Sequence, residues 1–156
     1  MKNLFLVLIV LIFFIGCATS YQKTGFSGGF SETQLSENIW KVHFIGNGHT
    51  TMERATDFCL LRSAELTLEN GYKYLAIVDE SSDTKSSNFT TPQKARTDPY
   101  GHTTFTGGQT FTANKPRTQN TVIMLREKSE YSGIVYEAEF LVSSLREKYS
   151  SEFQKK

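Results

Sequence analysis

The sequence predicts a two-layer α+β domain: a small mixed sheet with a β-α-β unit, a second helix near the C-terminus, and a Ser/Thr-rich insertion. Three observations carry this. "IWKVHFI" at residues 39–45 alternates apolar and polar residues with a period of two. The stretch 50–70 repeats apolar positions at helical spacing, and Tyr74-Leu75-Ala76-Ile77-Val78 is apolar on both faces. A strand, a helix and a strand in this order imply a parallel pair joined by a right-handed crossover.

The N-terminus comes before that domain. Lys2 precedes an unbroken apolar run at residues 4–15, followed by Gly16, which is the pattern of a secretory signal. As a helix the run would be roughly 18 Å long at ~1.5 Å per residue, short of a ~30 Å hydrocarbon core, so a permanent span is disfavoured. Phe14-Ile15-Gly16-Cys17 resembles the bacterial lipobox, with Phe14 where the pattern usually has Leu. That resemblance implies cleavage before Cys17, a thioether-linked diacylglycerol on its sulfur and an acylated amine. Three acyl chains would hold the protein permanently, at about 0.8 kcal/mol per buried methylene. Ala18 stands where the usual inner-membrane retention signal has Asp, which points to the outer membrane, facing the periplasm. The implied organisation is 1–16 signal peptide, 17–35 lipidated N-terminus and short linker, 36–150 a single domain, and 151–156 a tail.

Composition narrows the function. Without Lys2 the 17 Lys and Arg fall level with the 16 Asp and Glu, so the mature chain is neutral and shows no basic excess for a nucleic acid. The second cysteine, Cys59, has no partner if Cys17 carries lipid, and with Asp57-Phe58 before it and Leu60-Leu61 after it reads as a small buried hydrophobe.

Within the domain, Trp40, Val42 and Phe44 mark the buried side of the first strand, and Gly46-Asn47-Gly48 a turn. Thr50-Thr51-Met52-Glu53 has capping-box spacing at a helix start, and Gly71 suits the helix end. On the helix wheel Arg54, Arg62, Glu65 and Glu69 form a narrow charged stripe, and the apolar arc around it is wide enough to need cover on two flanks. Ile134, Ala138, Leu141, Leu145 and Tyr149 recur at helical spacing and supply a second helix for that purpose.

Residues 81–120 differ in composition. They hold 14 Ser or Thr in 40 residues and all three prolines, and read as an insertion with no core of its own. Thr103-Thr104-Phe105-Thr106 and Thr110-Phe111-Thr112 flank Gly107-Gly108, the mark of a β-hairpin. The segment carries a net charge of +3, from Lys85, Lys94, Arg96, Lys115 and Arg117 against Asp83 and Asp98. Its aromatics Phe89, Tyr100, Phe105 and Phe111, with Phe58 on the helix, are candidate partner-binding residues.

No catalytic or metal-binding constellation stands out. His43, His49 and His102 lack zinc-ligand spacing, and Glu53 and Asp57, one helical turn apart, read as a solvated face. No cofactor is implied. The lipobox, "GFSGGFSE" at 25–32, "FIGNGHTTMERATDF" at 44–58 and "LLRSAELTLENGYKYLAIVDE" at 60–80 resemble an uncharacterised family of small Gram-negative envelope lipoproteins. The resemblance implies an envelope location and transfers no activity, cofactor or site. The expected function is a non-catalytic envelope component, lipid-anchored through Cys17, that binds a protein or cell-wall partner. The alternative is a periplasmic hydrolase or stress sensor using His49 or Asp79-Glu80.

Overall fold

The computed structural model describes residues 18–154, so the signal segment and Cys17 lie outside the described residues. The elements are β1 (Gly29–Gln34), β2 (Ile39–Ile45), α1 (Met52–Glu69), β3 (Tyr74–Thr90), β4 (Lys94–Thr97), β5 (Thr103–Thr106), β6 (Thr110–Leu125), β7 (Tyr136–Glu137), α2 (Ala138–Lys148) and α3 (Ser150–Phe153), with a 3-10 turn at Lys128–Glu130. The α+β class is as expected. The main sheet has the order β1-β2-β6-β3-β7, and each neighbouring pair is antiparallel.

That pairing corrects the expected mixed sheet. β2 and β3 are both antiparallel to β6, so they run in the same direction, but β6 lies between them. The crossover through α1 therefore skips one position. The cause is local: β6 is the return strand of a long ribbon that begins with β3, and a ribbon partner must lie beside its mate.

The core lies between α1 and one face of the sheet. Val42, Phe44, Val122, Met124 and Leu75 from the strands pack with Ala55, Phe58, Cys59 and Leu66 from α1. The period-two reading of β2 holds, with Val42 and Phe44 fully buried. Cys59 is buried too, and its thiol donates to the Val42 carbonyl at 3.3 Å. Burial pushes that thiol up to about 12, which leaves it protonated and inert.

Helix α1 ends as the sequence predicts, with Asn70 at the cap and Gly71 at φ +77°. Its start differs by one residue. Thr51, not Thr50, caps the helix, its side chain accepting from the Arg54 amide at 3.2 Å. Thr50 is buried and committed elsewhere: its hydroxyl accepts from the Thr19 amide at 2.9 Å and donates to Asn47 Oδ1 at 3.0 Å. Glu53 is not part of a capping box; it pairs with Lys148 of α2 at 2.6 Å.

The second helix lies against α1, as its apolar spacing requires. Ala138 and Leu145 are buried, and Tyr149 stacks edge-on to Phe58 with centroids 4.9 Å apart. Ile134, read as part of that repeat, precedes the helix and is exposed. Glu53 and Asp57, read as a solvated face, are both held by Lys148, and Asp57 also accepts from the Tyr149 hydroxyl at 2.7 Å; the charged stripe of α1 is engaged as well. Arg62 is buried and reaches Glu69 at 2.8 Å and Glu32 of β1 at 3.1 Å, while Glu65 takes Arg146 of α2 at 2.7 Å. With Arg54 pairing Glu152, the stripe joins α1 to β1, α2 and α3.

Candidate functional site: the ribbon arm and the anchored end

Beyond the sheet, β3 and β6 continue as a two-stranded arm, in register from Thr84↔Pro116 to Thr90↔Thr110. Seven residue pairs at ~3.3 Å each make it roughly 20 Å long. The small β4–β5 sheet caps its far end, tied on where the Thr91 amide donates to the Gln109 carbonyl at 2.9 Å. No apolar core holds this arm. Cross-strand hydroxyl and amide pairs do: Ser86 with Asn114 at 2.8 Å, Asn88 with Thr112 at 2.9 Å, Thr90 with Thr110 at 3.0 Å and Thr97 with Thr103 at 2.9 Å. The Ser/Thr richness that reads as loop is the material of a ladder.

The hairpin expected around Gly107-Gly108 does not form. β5 pairs with β4, and β6 with β3, so Phe105 faces Ala95 and Phe111 faces Phe89. Gly107 and Gly108 instead join the two sheets at φ +89° and +73°. A Cβ on Gly107 would lie 2.2 Å from the Pro92 carbonyl oxygen, so the junction needs a glycine there. The C-terminal end of the 81–120 stretch belongs to the sheet. Arg117, Thr118, Gln119 and Asn120 pair with β2, and Thr118 and Asn120 are buried.

The candidate aromatics divide cleanly. Phe89, Phe105 and Phe111 are more than half exposed on the arm, and Tyr100 is 88% exposed at its far loop. That loop is ordered by Asp98, whose carboxylate accepts from the Tyr100 and His102 amides at 2.9 Å each. Those bonds, led by the one from His102, hold the Asp98 carboxyl below its usual range. Phe58 is a correction: it is fully buried at the centre of an aromatic cluster with Phe44, Tyr21 and Tyr149, with the Arg54 guanidinium 4.6 Å from its ring. The N-terminal segment and α2 cover the flank that the helix wheel left open.

That segment is no flexible linker. Thr19 is buried; its hydroxyl donates to the Ser27 carbonyl at 2.7 Å and accepts from the Asn47 amide at 2.8 Å. Tyr21 packs on Phe30 and Phe153, and its hydroxyl donates to Glu65. Helix α3 closes the same corner, with Glu152 pairing Arg54 and accepting from the Tyr21 amide at 3.2 Å. The chain is thus fixed two residues after Cys17. Because Gly46 donates to Pro116 at 2.8 Å, this fixed point and the root of the arm share one end of the sheet.

The alternative catalytic residues are not assembled. His49 is exposed, with its amide on Asn47 Oδ1 at 3.0 Å. Asp79 and Glu80 line a separate cleft of about 330 Å³ beside a bulge in β3, with Tyr131, Ile134 and Tyr136. On the open sheet face His43, Ser81 and Asp83 share a hollow of about 230 Å³ with Arg117. His43 and Ser81 both face Gln119 from opposite sides of β6, so their backbones lie about 10 Å apart at ~4.8 Å per strand, beyond a nucleophile–base bond. Among the described residues no group of three or more His, Cys, Asp and Glu is placed to hold a metal, and no helix is long and apolar enough to cross a membrane.

Comparison with protein-family models, with curated proteins and with solved structures finds no match.

Proposed function

We propose that this chain is a bacterial envelope lipoprotein, anchored through Cys17 in the outer membrane and facing the periplasm, that binds an envelope protein or the cell wall without catalysing a reaction. The arm carries the proposal. Folding does not need its exposed rings, since Phe89, Tyr100, Phe105 and Phe111 bury little against the chain, and large aromatic side chains are the groups that anchor interfaces. Its net charge of +3 in the 81–120 stretch favours an anionic or aromatic-accepting target. The hydrolase or stress-sensor reading has only the Asp79-Glu80 cleft in its favour, where no nucleophile adjoins a base.

A photocrosslinking amino acid placed at Tyr100 or Phe105 in the full-length protein, irradiated in intact cells, tests this. A discrete adduct at these positions, absent when the probe replaces the equally exposed Phe140 on α2, is expected. Adducts of equal yield at all three positions, or none at the arm, would contradict the assignment.

A further inference from the structure

Phe26 is fully exposed at the tip of a turn that the fold has no packing reason to carry. The turn is rigid. Gly25 and Gly28 exchange both backbone bonds, at 3.0 and 3.2 Å, and the Thr24 and Phe30 amides continue the pairing at 2.8 Å each. A Cβ on Gly28 would lie 2.2 Å from the Ile45 carbonyl oxygen, so the turn is pressed onto the end of β2. Thr19 holds it directly, through the bond from its hydroxyl to the Ser27 carbonyl. An exposed phenylalanine is therefore held on a stiff support whose fixing point is two residues from Cys17, a span of at most about 7 Å of chain.

The surroundings are cationic and lack counter-charges. Lys115 lines the same hollow as Phe26, beside Ile45. Directly across the ribbon Lys115 faces Lys85, a like-charged cross-strand pair that costs stability unless an anion sits over it. Lys23 lies three residues before Phe26. Among the described residues none of these three lysines has a carboxylate within ion-pair distance. An aromatic ring flanked by unpaired lysines has the chemistry of the bilayer interface, where the ring enters the headgroup boundary and the cations meet anionic lipid.

We infer that the Phe26 turn, with Lys23, Lys85 and Lys115, is a second membrane contact that docks this end of the domain on an anionic bilayer and fixes its orientation. The inference rests on the lipid-anchor reading. The acyl chains hold the protein at the membrane, and the turn removes its freedom to swivel about them. It also sets the root of the arm at the membrane surface.

The test uses the full-length lipid-modified protein reconstituted in vesicles of phosphatidylethanolamine and phosphatidylglycerol, with acyl chains brominated near the headgroup. Phe26→Trp is compared with Phe105→Trp and with the wild type, whose Trp40 gives the background. The indole of Phe26→Trp should emit further to the blue and be quenched by the brominated lipid, and that of Phe105→Trp should not. Adding Lys85→Glu and Lys115→Glu to Phe26→Trp should reverse part of the quenching. A Phe26→Trp protein that floats with the vesicles yet stays unquenched overturns the inference while leaving the anchor intact. A wild type that fails to float, or an unmodified Cys17 by mass spectrometry, overturns the anchor reading itself and this inference with it.

Discussion

The helix-covered core and the arm are built from the same two strands, β3 and β6, yet they are held by different forces. Near Tyr74↔Leu125, the end of the ladder away from the chain connection, the strands place Leu75, Val122 and Met124 under α1, where each is fully buried. Past Thr84↔Pro116 the same ladder carries rings in water and hydroxyl pairs across it. The first half is stabilised by removing apolar surface from water. The second depends on backbone bonds and cross-strand pairs worth roughly 0.2–1 kcal/mol each. The core should therefore answer sharply to single substitutions and the arm only weakly.

Phe58→Ala should give the largest effect. It removes a ring at the centre of four aromatic and cationic contacts and leaves a cavity, so a loss of roughly 3–5 kcal/mol by urea unfolding is expected. Phe105→Ala on the arm, by the same measurement, should stay within about 0.5 kcal/mol. Comparable losses at the two positions would erase the distinction between the regions.

Arg62→Met should follow. It leaves Glu32 without its cation and Glu65 with Arg146 alone, and removing one partner of a buried ion cluster costs roughly 3 kcal/mol. Because Glu69 is half exposed, its share is discounted, and the figure stands for the inner two carboxylates. Adding Glu32→Gln to this variant should recover part of the loss; no recovery would assign the cost to packing alone.

Cys59→Ala should cost less, on the order of 1–2 kcal/mol, and the thiol carries a pH signature. Its folded value is pushed up to about 12 from 9.0, so the folded state holds a proton that the unfolded state releases. Stability from this group is complete below pH 9 and is lost as pH rises towards 12. Burial, then the bond to Asp57, raises Tyr149 from 10.0 to about 12 in the same direction. Alkaline unfolding should be milder in Cys59→Ala, and thiol labelling of the native wild type should track unfolding; rapid labelling at neutral pH would contradict the buried site.

Thr90→Ala should be the smallest, a few tenths of a kcal/mol globally. Its readout is faster amide exchange confined to the outer arm, with β2 and α1 unchanged. Exchange that quickens in the core as well would show that the two halves unfold as one unit.

The same contrast explains what could be read in the sequence. The face of β2, the end of α1 at Gly71 and the place of Cys59 follow from apolar periodicity and one left-handed glycine, and these survive into the structure. The arm was not legible as strand because Ser, Thr, Asp and Lys in a row lack an apolar side, and the threonine pairs exist only once two distant segments are aligned. The buried state of Phe58 was hidden for a related reason: its cover comes from Tyr21 and Tyr149, far away in the chain. Nor could β6 be placed between β2 and β3 from a strand-helix-strand order. The exposed arm aromatics, by contrast, could be named from composition alone.

The central claim is that the arm is separable from the fold and exists for what it touches. Replacing residues 86–114 by a short Asn-Gly turn that joins Lys85 to Lys115, partners in the ladder, keeps the Pro116 and Arg117 contacts with β2. Unfolding of this variant followed by circular dichroism, with formaldehyde crosslinking of wild type and variant in intact cells as its companion readout, decides the matter. The account predicts a transition within about 1 kcal/mol of the wild type and loss of the partner adducts. A variant that unfolds, or that is stable and still crosslinks to the same partner, would contradict it.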